Sequence, residues 1–212
     1  SVATLTDAYL ATLLSQMTGE VTRPTGLSMA DVTGEAIRGV IPSDVYRRAG
    51  VEVWTALSNG ATLREAADRG LKRALNMAMT DLQLTKTHTA RRVLSGDSRV
   101  VGHRRVLTGS ENCGLCYVAS TQRYHKSRLQ PIHPGCDCGV APILGGSDPG
   151  QVIDEQQLSD THAAIEERFG VSSDDARSAV DYRKVLLVRD HGELGPLLTV
   201  KGQHFDGPSS IK

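Results

Sequence analysis

The sequence predicts an α+β protein: a helical N-terminal half, a small mixed zinc-knuckle region with short strands, and a C-terminal β-hairpin. Three observations carry this. Apolar residues recur at helical spacing through the first part of the chain, and β-branched stretches appear after Ser95. All four cysteines fall between Cys113 and Cys138. The chain divides accordingly into a helical region (1–95), a cysteine-bearing core (96–145), and an acidic helix with hairpin and tail (146–212).

The first helix is predicted from Thr4 to Met17, with Leu5, Tyr9, Leu13 and Met17 as its stripe and Ala8, Leu10 and Leu14 beside it. Gly19 closes it, and Arg23-Pro24-Thr25-Gly26 reads as a turn. A short helix follows over Ser28 to Ile37. Pro42-Ser43-Asp44 opens another, with Val45, Ala49, Val53, Trp54 and Leu57 facing one way, and Ser58-Asn59-Gly60 ends it. Thr62-Leu63-Arg64-Glu65 is a capping-box sequence, in which hydroxyl and carboxylate each satisfy a free amide. The helix behind it is expected from Leu63 to about Thr80 and, after a break, through Arg92. Ala66, Leu71, Leu75, Met77, Met79 and Leu82 are its apolar positions, and Gly70 weakens it by about 1 kcal/mol relative to alanine.

Past Ser95-Gly96-Asp97-Ser98 the pattern changes. Val100 to Leu107 reads as a strand, Leu115 to Tyr124 as a short helix, and Gly139 to Leu144 as a strand leaving the cysteines. Gly145 to Gly150 is a linker, and Asp154 to Arg168 a solvated helix with Leu158, Ala164 and Ile165 inward. Val185 to Val188 and Leu197 to Val200 are strands joined through His191-Gly192-Glu193-Leu194-Gly195-Pro196. The end, Phe205 to Lys212, is turn-rich.

Composition narrows the function. Trp54, Phe169 and Phe205 are the only tryptophan and phenylalanines, so the core relies on aliphatic side chains and leans on partners for burial. The formal net charge is zero, which argues against a general nucleic-acid binder. No apolar run approaches a bilayer span, and no secretory apolar segment opens the chain. The charge is uneven. Lys86 to Arg128 holds nine Lys or Arg against Asp97 and Glu111, whereas acids outnumber bases eleven to five from Asp148 to Glu193. The basic stretch is either a face for nucleic acid or an acidic partner, or one of two solvated faces that attract each other.

The densest chemistry is Cys113-Gly114-Leu115-Cys116 followed, after sixteen residues, by His133-Pro134-Gly135-Cys136-Asp137-Cys138. Two short pairs with a spacer suit a tetrahedral zinc site, each pair wrapping one side of the ion. Five donors compete for four places. Cys113, Cys116, Cys136 and Cys138 are the expected thiolates of one structural Zn2+, with His133 either replacing one or hydrogen-bonding to the site. Crossed disulfides, a redox pair and free inert thiols are the competing readings. A zinc deaminase would need H-x-E upstream and P-C-x-x-C. Asn112 stands where the proline would be, and His191-Gly192-Glu193 lies after the cysteines.

These residues carry a resemblance. Cys113-Gly114-Leu115-Cys116-Tyr117-Val118-Ala119, Tyr124, Pro131-Ile132-His133-Pro134-Gly135-Cys136-Asp137-Cys138 and the tail His191 to Pro196 resemble the phage Mu F-like minor head proteins, especially those of phages infecting actinobacteria. The H-P-x-C-x-C element is the most specific part, and the helical first half is similar only in character. Many family members have arginine between the last two cysteines. Asp137 departs from that, which argues against a phosphate contact there. The resemblance implies a structural minor head protein of a tailed-phage virion, in the host cytoplasm during assembly and then inside the head near the portal. It would stand in multiple copies around the portal, act in head assembly and in DNA packaging or delivery, and contact the portal protein, other head proteins and packaged DNA. No catalytic turnover is expected, because a thiolate-saturated ion is a poor Lewis acid. The alternatives are a zinc-dependent nucleic-acid enzyme or toxin delivered with phage DNA, with His103, His125, His133 and Glu111 as nearest acid–base groups, and a plain zinc-ribbon nucleic-acid binder.

Overall fold

The computed structural model describes residues 1–108, 114–120, 122–132, 136, 138–145, 163, 167, 186–191 and 195–200. Helix α1 (Val2–Thr18) starts where Ser1 Oγ accepts from the Thr4 amide at 3.2 Å. It stops at Gly19, whose φ of 71° lets its amide return to the Ser15 carbonyl. Its buried face is Ala3, Asp7, Leu10, Ala11 and Leu14. Leu5 and Tyr9, expected inside, are exposed. The helix is apolar on several sides, so spacing alone does not choose the face. Asp7 helps choose it: its carboxylate accepts from the Thr25 amide, the Thr25 hydroxyl and the Gly26 amide, each at 3.0 Å. That fastens the predicted turn onto the helix.

The single short helix expected over Ser28 to Ile37 is split into a 3-10 turn (Met29–Val32) and α2 (Glu35–Arg38). Gly34, at φ 59°, separates them. Arg38 is buried at the end of α2 and ion-pairs with Asp81, its Nε donating to Oδ1 at 2.7 Å. Helix α3 (Pro42–Ser58) has proline in its first turn. Val45 and Ala56 are buried, with Ala49, Val53 and Leu57 half-buried. Trp54 is 72 % exposed, not part of that stripe. One residue on from Val53 it is rotated by roughly 100° about the axis, out of the contact.

Helix α4 (Leu63–Gly96) begins at the predicted capping box: Thr62 Oγ1 accepts from the Glu65 amide, and the Thr62 amide donates to Glu65 Oε2 at 2.8 Å. It runs 34 residues without the expected break. Gly70 faces α3. A Cβ there would collide with the Val53 side chain and lie 3.2 Å from the Ala49 carbonyl oxygen. The glycine that weakens the helix lets its neighbour approach. Ala66 and Met77 are buried as expected, whereas Leu71, Leu75, Met79 and Leu82 are exposed. Farther on, Gln83 to Leu94 is buried on most sides, so this half of α4 is the strut against which the rest packs.

Strand β1 (Val100–Val106) lies between β2 (Arg123–His125) and β3 (Gly139–Leu144), antiparallel to both. Helix α5 (Gly114–Ser120) stops short of Tyr124, which belongs to β2 rather than to the predicted helix. Gly102 permits this pairing, since a Cβ there would sit 2.7 Å from the Tyr124 carbonyl oxygen. Strands β4 (Leu186–His191) and β5 (Gly195–Val200) form the expected antiparallel pair. They extend farther than predicted, with His191, Gly195 and Pro196 in the ladder. Of the helix predicted over Asp154 to Arg168, Ala163 and Glu167 are helical and exposed. The rest of it, the linker beyond Gly145 and the tail from Phe205 lie outside the described residues.

Two cores result. One joins α1, α4, β1 and β3 through Leu10, Leu14, Val93, Leu94, Val100 and Leu144. The other gathers Ile37, Leu84, Leu115, Ala119 and Ile132 around three cysteines. Among the described residues, no helix is long and apolar enough to cross a membrane.

Candidate metal centre

Helix α5 carries Cys116, and Cys136 and Cys138 lie just before β3. Ile132 and Leu84 hold the two segments together. The three sulfurs lie within 4.8 Å of one another. Sγ of Cys136 is 3.2 Å from that of Cys116 and 3.1 Å from that of Cys138. All three are buried, and none of them is disulfide-bonded. A tetrahedral zinc ion with Zn–S bonds of about 2.3 Å separates its sulfurs by roughly 3.8 Å, a small outward shift from this arrangement. Three soft donors so placed could bind a metal. Cys113, His133 and Glu111 lie outside the described residues.

The thiols differ in acidity. Hydrogen bonds from Cys116 and Cys136, followed by the Arg105 charge, hold Cys138 well below the usual thiol range. The Cys116 hydrogen bond also pulls Cys136 down, but its bond to Cys138, burial and the Cys138 charge outweigh this and push it up.

Arg105 is the contributor that spacing of metal ligands did not reveal. It is 4 % exposed, and its Nη1 donates to Cys138 Sγ at 3.3 Å while Nη2 donates to the Gln130 carbonyl. The available signal was strand alternation, which puts His103 and Arg105 on one side of β1. His103 is buried and stacked on Tyr124, with ring centroids 5.2 Å apart. Burial, then Arg105, lowers its pKa to about 3. Burial raises Tyr124 to about 12. His103 Nδ1, Arg105 Nε, the Tyr124 hydroxyl and Gln130 Oε1 are buried without a partner among the described residues. His125 points elsewhere, its Nδ1 bonding to Ser127 Oγ at 2.8 Å.

The basic stretch is largely spent inside the molecule. Arg91 bonds to His88, Arg92 pairs with Asp31, and Arg99 binds Asp97, Glu20 and Thr22. Lys126 donates to the Asp97 carbonyl, and Arg105 serves the cysteines. These five of the nine cations have partners within the chain, and Lys86, Arg104 and Arg123 are engaged as well. The carboxylates that pair with the basic stretch are Glu20, Asp31 and Asp97, none of them in the acidic segment from Asp148 to Glu193. Comparison with protein-family models, curated proteins and solved structures returned no match.

Proposed function

We propose that the chain is a structural minor head protein of a tailed-phage virion, pinned by one structural zinc ion and stationed inside the head at the portal vertex. The observation that carries this reading is the convergence of Cys116, Cys136 and Cys138 in a buried core. These are the cysteines of the motifs that resemble the Mu F-like proteins. Cys113 is the fourth ligand, with His133 as its competitor. When bound, the ion supplies cross-linking of α5 to the strand β3, a local closure that a small aliphatic core benefits from. The described histidines support structure over turnover, since His103 is stacked in the interior and His125 caps the Lys126–Arg128 turn.

The partners are the portal protein and other head components, with multiple copies around the ring. Support comes from apolar side chains left outside: Trp54 on α3, and Leu71, Leu75 and Met79 at intervals of four on α4. Leu5 and Tyr9 add an apolar cleft of about 270 Å³ with Leu10, Ala90 and Val140. The test has two arms. Elemental analysis of the purified chain should give one zinc per molecule, and reconstruction of intact particles should place the chain at the portal vertex. Nuclease, protease or ADP-ribosyl transfer activity that is lost on mutating His133 or Glu193, with folding intact, would overturn the assignment in favour of an enzyme.

A further inference from the structure

Arg105 lies near the end of β1, paired with Val140 of β3, and is buried, with its guanidinium held by two acceptors. Among the described residues no carboxylate pairs with it. The anion-capable group it reaches is Cys138 Sγ, at 3.3 Å. A buried guanidinium needs an anionic partner, because an uncompensated buried charge is strongly unfavourable. A thiolate at Cys138, alone or on a metal ion, supplies one. Three thiolates on a divalent ion leave one net negative charge, and four leave two.

Resting on the zinc reading above, we propose that Arg105 is the built-in counter-cation and positioning residue of the thiolate centre. Its planar fork holds two acceptors at once: Nη1 bonds to Cys138 Sγ and Nη2 to the Gln130 carbonyl. The guanidinium therefore ties the ligand loop to the residue that leads into the second cysteine motif. It fixes the direction from which Cys138 approaches the ion and offsets the charge the site accumulates. Lysine would keep the charge but lose the two-pronged geometry. His103 and Tyr124 stack on each other near Arg105, and burial disfavours the charged form of each.

The experiment uses the full chain and its R105Q and R105K variants, loaded with Zn2+ and, separately, with Co2+. Competition with a chromophoric chelator reads affinity, and the thiolate-to-cobalt charge-transfer band reads the sulfur–cobalt bonds. R105Q is expected to lose metal affinity by about 10- to 100-fold and to shift the band, with the helical circular dichroism preserved. R105K should fall between R105Q and the parent in affinity while keeping a shifted band. Should R105Q fail to fold, R105K carries the test. A folded variant whose affinity and band match the parent overturns the role of Arg105 and leaves the metal site standing. A parent chain that takes up neither ion overturns both.

Discussion

At Gly70, helix propensity and packing pull in opposite directions. Propensity alone says that G70A should stabilise α4 by about 1 kcal/mol. Packing says the reverse, because the new methyl would run into Val53, a stiff β-branched side chain, with the Ala49 carbonyl behind it. We expect G70A to lose about 1–3 kcal/mol of stability in urea unfolding. G70A combined with V53A should recover part of that loss, since the truncated side chain makes room. A stabilised G70A would show that α3 lies farther away than described. The same scale explains why Trp54 and Leu5 were misplaced by spacing. A large apolar residue one step outside a helical contact is indistinguishable in sequence from one inside it, and the contact itself decides.

Among elements, α4 and the cysteine loop divide the labour. The capping box fixes where α4 begins from purely local chemistry, and it was readable for that reason. Its unbroken passage through Thr80 was not, because Thr85, Thr87 and Thr89 are poor helix formers that tertiary burial holds in place. The zinc reading makes a prediction here. Chelation should raise amide hydrogen exchange across Leu107 to Leu144 before it affects α1, since the ion closes that segment locally. Simultaneous loss of protection in α1 would mean that the metal supports the whole molecule. Serine replacements at Cys136 and Cys138 should reproduce the chelated pattern and, on the proposed virion role, lower incorporation into particles through lost folding.

For the molecule as a whole, His88 links stability to pH. It lies on the buried half of α4 and accepts at Nδ1 from Arg91 Nη2 at 2.9 Å, a bond that requires the neutral ring. Burial, then Arg91 and Arg92, brings its pKa to about 4 from 6.5. The folded value is the lower one, so on acidification the unfolded chain takes up the proton first. The contribution is fully present above about pH 6.5 and is lost as pH falls toward 4, by up to ~1.4 kcal/mol per pH unit. His103 has the same sign. Urea midpoints at pH 7 and pH 5 should therefore differ less in H88Q than in the parent, and equal differences would remove His88 as the cause. Trp54 supplies a second global readout as the single tryptophan. Its exposure predicts red-shifted, readily quenched fluorescence in the isolated chain. If the proposed head-protein role holds, docking of the α3 face should shift the emission to the blue and protect it, and an unchanged spectrum in assembled particles would place the contact elsewhere.

What the sequence by itself determined was whatever rests on neighbours in the chain. That covers the helical first half, the stops at Gly19 and Asn59, the capping box, β1, β3 and the β4–β5 pair, and the concentration of cysteines that marks the site. What only the tertiary structure decided was which faces are inside, where β2 replaces the end of a helix, and which side chain meets the cysteines. Asp7, Arg38 and Arg105 are polar residues that sequence patterning assigns to the surface, yet each is buried by a partner 18 to 43 positions away or by a sulfur 33 positions away. Caps and turns are set by hydrogen bonds a few residues long. Burial of a charge is set by the group that arrives to compensate it, and no local pattern records that arrival.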